Sequence, residues 1–289
     1  MTAVTDIRIA TDFSPHAERA ALRGARLAQA LNAPATLIHV PERPRVLAVQ
    51  SLLDEQHGAA IEQAMASAVA AVDDSVGVRL QGEVREGSKV GTTLLDGANS
   101  GTLVVVGGQG EHAWRDRMLG STASGIVRRS TGPVLAVRGA VDGPYRKVLV
   151  PVDLSAASRP ALELALTVAP DAEIEVLHTW APLALPYGSF AVGAKDLLEA
   201  HAREQEETGR KGLEELVASA GLEPGRVTLT LRKDFPTRGI LSQAEESGAD
   251  LLVLGRQSGN PVEKWFVGSV TLQVLTHSDS DVLIVPLPG

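Results

Sequence analysis

The fold of this chain is indicated by the stretch Leu103-Val104-Val105-Val106-Gly107-Gly108-Gln109-Gly110, together with Gly120-Ser121-Thr122, which follows after nine further residues. The short β-branched run predicts a buried parallel strand. Glycine comes directly after it, where a backbone must turn tightly or approach a ligand closely. The second cluster opens a helical pattern, so free backbone N–H groups and two hydroxyls stand at a helix start, which favours a bound phosphate. The sequence therefore predicts an anion site at the carboxyl end of this strand.

Composition limits the partners of the chain. The net charge of −8 argues against nucleic acid as the main partner, because a phosphate backbone requires a basic face. No cysteine is present, which excludes disulfides and thiolate metal sites. The N-terminus lacks a leader pattern, and prolines interrupt the most apolar stretch, 180–194. We therefore expect a cytoplasmic protein that binds neither nucleic acid nor membrane.

The first half of the chain alternates strand and helix patterns. Ser14 and Pro15 are a suitable N-cap and first residue for the first helix, which runs to about residue 31. Four strands accompany the central one, and they are predicted at 7–11, 35–40, 78–84 and 133–137. This alternation predicts an α/β fold with a doubly wound, five-stranded parallel sheet.

The same pattern returns in the second half. Asp153 corresponds to Asp12 at an offset of 141 residues, and Gly255 corresponds to Gly107 at an offset of 148. The repeat spans nearly the whole chain, so the sequence predicts two tandem copies of one domain. The predicted first domain, linker and second domain are residues 1–139, 140–146 and 147–289.

A nucleotide site is predicted from this arrangement. Ligands of doubly wound sheets bind at the carboxyl ends of the strands, where the strand order reverses. With the order 3-2-1-4-5, Asp12 and Gly107 face one crevice. A carboxylate suits ribose hydroxyls or an adenine amino group, and the glycine loop with Ser121 suits phosphates. The corresponding residues of the second half are Asp153, Gly255, Gly268 and Ser269.

The spacing Gly-x-x-Gly, nine residues, Gly-Ser resembles the nucleotide-binding pattern of the universal stress protein family. The openings around Asp12 and Asp153 also resemble the first-strand motif of that family. The first half fits the loop pattern without a break at Gly107, Gly110, Gly120 and Ser121. The resemblance covers both halves and implies a tandem protein of Rossmann-like, adenine nucleotide alpha hydrolase-like domains with strand order 3-2-1-4-5.

The resemblance also implies a ligand and partners. ATP is expected across Asp12, Val40, the glycine loop and Ser121-Thr122, with the backbone of Val40 addressing adenine. Mg²⁺ is the ion that usually accompanies ATP. Like domains are expected to pair through their last strands, within the chain, between copies or both, so a homodimer is a further expectation.

The second half departs from the family pattern at two places. Ser258 stands where the second glycine of the loop belongs, and Thr179-Trp180 replace the Val40-Pro41 corner. Serine at a position that needs a positive φ costs about 1 kcal/mol or more. We therefore expect the first half to be the better nucleotide site.

Binding is favoured over catalysis. Phosphoryl transfer needs a charge clamp and a group that orients the nucleophile, and the sequence has neither a P-loop lysine nor an evident paired carboxylate set. We predict an ATP-binding stress-response regulator with an unidentified protein partner, no catalytic residue and no metal ligand of its own. Two alternatives stay open: a slow ATP hydrolase, and an interaction scaffold whose glycine loops bind nothing.

Structural roles without ligand contact are also possible for some of these residues. Asp12 and Asp153 could cap the helices that follow them without touching a ligand. His39 and His178 stand at matched strand ends, where a structural role is favoured over a catalytic one.

Overall fold

The computed structural model describes residues 3–41, 50–87, 89–108, 121–181, 194–223, 225–256 and 268–287. In the described part of the first half, five strands, β1 to β5, are Asp6–Thr11, Ala35–His39, Gln81–Val84, Thr102–Gly107 and Val134–Val137. The helices α1 to α4 between them are Pro15–Leu31, Gln50–Val76, Val90–Leu95 and Ser121–Arg129.

The second half repeats the series. Its strands, β6 to β10, are Lys147–Val152, Glu173–Trp180, Thr228–Lys233, Leu251–Arg256 and Asp281–Pro286. Its helices, α5 to α8, are Ser158–Val168, Ala194–Ser219, Pro236–Ser247 and Ser269–His277. The predicted repeat of strand and helix is therefore present in the folded chain.

All ten strands of the described ranges belong to one sheet, in the order β3-β2-β1-β4-β5-β10-β9-β6-β7-β8. Within each half the strands are parallel and keep the order 3-2-1-4-5. The α/β fold class and the strand order are confirmed. The two five-stranded sheets are continuous, because β5 and β10 pair antiparallel with Leu135 opposite Leu283.

This internal pairing bears on the predicted homodimer. The last strands of the two halves pair with each other, and their remaining edges are taken by β4 and β9. Among the described residues neither last strand keeps an edge for a second copy of the chain, so the fold has the internal pairing among the alternatives that the sequence left open. A homodimer through another surface stays a prediction.

Two apolar layers cover the two faces of the sheet, and each layer spans both halves. Alternate strand residues divide between them, so Leu135 belongs to the layer under α1 and α5, and Ala136 to the layer under α4 and α8. Small side chains permit close helix packing, as where Gly24 of α1 lies directly over Ile9. The core therefore joins the halves as one packed unit.

The first helix begins and ends as the sequence predicts. The Ser14 hydroxyl accepts a hydrogen bond from the Ala17 N–H, which satisfies one of the unpaired donors of the first turn. Pro15 occupies the first helical position, and Asn32 ends the helix in the left-handed conformation. The predicted order 3-2-1-4-5 places the third strand at an edge of the sheet, and β3 lies there.

A buried carboxylate joins the halves to the segment between them. Asp281, at the start of β10, is 1% exposed. Its oxygens accept hydrogen bonds from Arg23 Nε at 3.2 Å and from the Tyr145 hydroxyl at 2.7 Å. They also accept from the backbone N–H groups of Arg138 at 2.7 Å and Gly139 at 3.0 Å. We call Asp281, Arg23 and Tyr145 the Asp281 cluster.

The cluster is closed by two further contacts of Arg23. Its guanidinium lies 3.9 Å from the centre of the Tyr145 ring and donates to the carbonyl of Gly143 at 2.7 Å. Burial raises the pKa of Tyr145 well above its ordinary value, and the Asp281 carboxylate raises it further, so the hydroxyl stays protonated and donates. Each charged group of the cluster thus has partners that compensate its burial.

Membrane insertion has no candidate helix in the ranges described above: none there is both long and apolar enough to cross a bilayer.

Candidate functional site

The crevice of the first half begins with the turn after β1. Asp12 is exposed, and its Oδ1 accepts a hydrogen bond from the Ser14 N–H at 3.1 Å. Phe13, between them, has φ of 63°, a left-handed conformation that is uncommon without glycine. The Phe13 N–H donates to the Thr11 hydroxyl at 3.0 Å. These bonds hold the Asp12 carboxylate at the carboxyl edge of the sheet.

The second half repeats this turn. Asp153 Oδ1 accepts from the Ser155 N–H at 3.0 Å and from the Ser158 hydroxyl at 3.2 Å. Leu154 has φ of 60°, as Phe13 does in the first half. Both aspartates lie in the turn before the helix and not at its cap, because the N-cap residues of α1 and α5 are Ser14 and Ala157. The helix-capping role predicted as an alternative for Asp12 and Asp153 is therefore wrong, and any ligand contact would be additional to the turn.

Two histidines support these turns. A carbonyl oxygen can only accept, so His39 Nδ1 donates to the carbonyl of Thr11 at 2.8 Å and His178 Nδ1 donates to that of Val152 at 2.9 Å. The His39 ring also packs against the Phe13 ring with centroids 4.6 Å apart. The predicted structural role of both histidines is confirmed.

Glycine at the end of each central strand allows a helix to approach. A Cβ on Gly107 would lie 3.1 Å from the backbone carbon and oxygen of His16. A Cβ on Gly255 would lie 2.4 Å from the backbone oxygen of Ala157, at the same position of the second half. Both glycines thus bring the start of the first helix of each half, with its positive dipole end, against a strand end.

The other predicted residues of the first half divide into two groups. Val40 is buried directly after β2, and Thr122 is exposed in the first turn of α4. Gly110 and Gly120 lie outside the described residues, as does the side chain of Ser121, although Ser121 begins α4. Since β2, β1 and β4 are parallel neighbours, Asp12, Val40 and Gly107 share one edge of the sheet.

The second half differs where adenine is expected. Its strand β7 continues through Thr179 to Trp180, whereas β2 ends at His39. Trp180 is buried and pairs with Lys233 of β8, whose ammonium lies 5.3 Å from the indole ring. The chain therefore leaves the strand at Val40 in the first half, whereas Thr179 and Trp180 of the second half still belong to β7 and pair with β8.

The loop and helix residues of the second half are described only in part. Gly268 directly precedes α8, and Ser269 is its exposed first residue. Ser258, the predicted departure from the loop pattern, lies outside the described residues.

Sequence reasoning missed a histidine beside the crevice. His16 lies in the first turn of α1, and its Nδ1 accepts a hydrogen bond from the Arg19 guanidinium. Burial lowers the pKa of His16, and the positive charge of Arg19 lowers it further, while the Asp12 carboxylate opposes both effects. The neutral imidazole is therefore the favoured form at this edge. Its place next to a capped helix start was the only sequence signal that could have identified it.

Comparison with known proteins follows the two halves. The sequence model of the universal stress protein family matches residues 4–138 and again 144–286. A universal stress protein of Mycolicibacterium smegmatis is 29% identical over 96% of each chain. One from Mycobacterium tuberculosis is 26% identical over 96% of this chain and 95% of its own.

A solved structure shows the same fold. The crystal structure of a universal stress protein from Archaeoglobus fulgidus covers 99% of this chain and 97% of its own length, with a TM-score of 0.67 and 16% identity. The family match over both halves agrees with the repeated sheet, the paired Asp12 and Asp153 turns and the glycine strand ends. The chain therefore belongs to the universal stress protein family.

Proposed function

We propose that this chain is an ATP-binding regulatory protein of the stress response and that its first half holds the nucleotide. The observation that carries the proposal is the presence of Asp12, Val40 and Gly107 at one sheet edge, formed by three neighbouring parallel strands. This is the place at which doubly wound sheets bind nucleotides.

Each part of ATP has a suitable group in the first half. The Oδ1 of Asp12 is engaged with Ser14, while its Oδ2 has no hydrogen bond within the described ranges and suits a ribose hydroxyl. The backbone that leaves β2 at Val40 can address adenine. The first turn of α4 supplies N–H groups that have no acceptor within the helix and the Thr122 hydroxyl for phosphates, and Mg²⁺ would arrive with those phosphates.

The difference between β2 and β7 supports a single nucleotide site, in the first half. Val40 and Pro41 leave the sheet after β2, but Thr179 and Trp180 continue β7 and pair with β8. The second half therefore lacks the corner that adenine requires. We propose that ATP in the first half changes a surface that another protein recognises.

One observation favours an interaction scaffold as a second candidate. Asp12 accepts a hydrogen bond within its turn, and Gly107 allows the backbone of α1 to pack closely. Both residues therefore have a structural role that needs no ligand. Under this reading the glycine loops bind nothing and the two halves present a surface to a protein partner.

Replacing Asp12 by alanine separates the two candidates. Loss of a hydrogen bond to a charged group is expected to weaken ATP binding about 10- to 100-fold, as measured by calorimetric titration. Asp153→Ala is the matched control, because it removes the equivalent turn in the second half and is expected to leave ATP affinity unchanged. Equal affinities of wild type and Asp12→Ala would contradict the proposed site, and absence of binding to the wild type would favour the scaffold.

A further inference from the structure

The helix that follows each glycine cluster ends with an equivalent carbonyl that has no donor within the helix. In α4 the last helical bond runs from the Ser130 N–H to the Ile126 carbonyl, which leaves the carbonyl of Val127 without a helical donor. In α8 the corresponding bond runs from the Ser278 N–H to the Val274 carbonyl. At the offset of 148 residues, the carbonyl that corresponds to Val127 is that of Leu275.

Both carbonyls receive an arginine from the opposite half of the chain. Arg256, in β9, donates to the carbonyl of Val127 and, at 2.8 Å, to that of Ser130. Arg138, directly after β5, donates to the carbonyl of Leu275. The two arginines stand at non-equivalent positions of the repeat, yet they satisfy equivalent acceptors. We call the two hydrogen bonds of Arg256 the Arg256 bridge.

The Arg256 bridge is buried. Arg256 is 9% exposed, and burial lowers its pKa. Burial of a guanidinium costs free energy unless its N–H groups are hydrogen-bonded. The hydrogen bonds to the carbonyls of Val127 and Ser130 therefore hold the Arg256 side chain in place, and they also hold the last turn of α4. A cation at the C-terminal end of α4 also suits the helix dipole. The end of α4 therefore cannot move freely with respect to β9.

The opposite end of α4 carries the predicted phosphate donors. The helix has nine residues, Ser121–Arg129, and spans about 13 Å. A short helix moves as a rigid body, so a contact that fixes its last turn also fixes the direction of its first turn. Arg256 follows Gly255 directly and so belongs to the strand end of the second half.

We propose that Arg256 is a positioning residue for the nucleotide site of the first half, which rests on the proposed function. The second half holds α4 through the Arg256 bridge, so the N–H groups at residues 121 and 122 are oriented for phosphate before ATP arrives. Pre-orientation of this kind increases affinity because less conformational freedom is lost on binding. The second half thus supports ATP binding without holding a nucleotide.

Arg256→Met tests the bridge in the full chain. Calorimetric titration with ATP is expected to show affinity about 10-fold lower than in the wild type. Arg226→Met is the matched control, because Arg226 also donates to two carbonyls, of Pro170 at 2.6 Å and Ala172 at 3.3 Å, within the second half. It is expected to lower the melting temperature without changing ATP affinity. Arg256→Lys, which keeps the charge and one donor direction, is expected to recover part of the affinity.

Hydrogen exchange of the α4 amides distinguishes failure of the bridge from failure of the proposed function. Without nucleotide, Arg256→Met is expected to exchange faster than wild type and Arg226→Met over residues 121–129. If the wild type binds ATP and Arg256→Met binds it equally well, the positioning role is overturned and the proposed function stands. A wild type that binds no ATP overturns both, and exchange then reports only how firmly Arg256 holds α4.

Discussion

Replacing Asp281 by asparagine is expected to lower the free energy of unfolding by about 3–5 kcal/mol, the effect typical of removing one partner of a buried ion pair. The substitution keeps the size of the side chain but leaves the guanidinium of Arg23 buried without its counter-charge. It also removes the carboxylate that accepts a hydrogen bond from the Tyr145 hydroxyl. Unfolding in urea, followed by circular dichroism, measures the loss.

Asp250→Asn is the control for this experiment. Asp250 also accepts hydrogen bonds from two backbone N–H groups, those of Arg146 at 2.8 Å and Lys147 at 3.1 Å. It is only partly buried and has no ion pair among the described residues. Its replacement is expected to cost about 1 kcal/mol. Equal losses in the two variants would show that the charge of Asp281 contributes little, and that the Asp281 cluster does not join the halves.

Gly255→Ala is the second substitution for which we expect a large effect. The new Cβ would lie 2.4 Å from the backbone oxygen and 2.8 Å from the backbone carbon of Ala157. Because these are backbone atoms, the start of α5 must move away from β9, at a cost of about 3 kcal/mol. Thermal unfolding of the variant measures the cost as a lowered melting temperature.

Gly107→Ala provides the comparison within the same molecule. Its Cβ would meet the backbone of His16 at 3.1 Å, a distance that a shift of a few tenths of an ångström relieves. We expect a loss of about 1 kcal/mol, smaller than that of Gly255→Ala. The reverse order would contradict the view that helix approach is the reason for glycine at these strand ends.

The fold could be predicted from the sequence because its signals are local and repeated. The β-branched run before Gly107 and the cap at Ser14 each specify an element within a few residues, and the second copy confirms the pattern. The continuity of the sheet could not be derived in this way. Leu135 and Leu283 are equally apolar whether they face a second copy of the chain or each other, so the sequence left both pairings open.

The candidate site was predictable at its strand ends but not in its supports. The position of Asp12 after β1 follows from sequence, whereas the left-handed conformation of Phe13 and its packing against His39 have no local sequence signal. Arg256 reaches Val127 across 129 positions of the chain, and no periodicity or motif encodes such a contact. The greater length of β7 than of β2 was visible in the sequence only as the replacement of Val40-Pro41 by Thr179-Trp180.

The first half of this chain is proposed to hold ATP. Acid extraction of freshly purified protein, with chromatography of the released nucleotide, tests it most directly. We expect one molecule of ATP per chain, because the backbone leaves the strand at Val40 in the first half, whereas β7 continues through Thr179 and Trp180 in the second. No released nucleotide, together with a calorimetric titration that shows no binding of added ATP, would contradict the claim and leave a tandem scaffold.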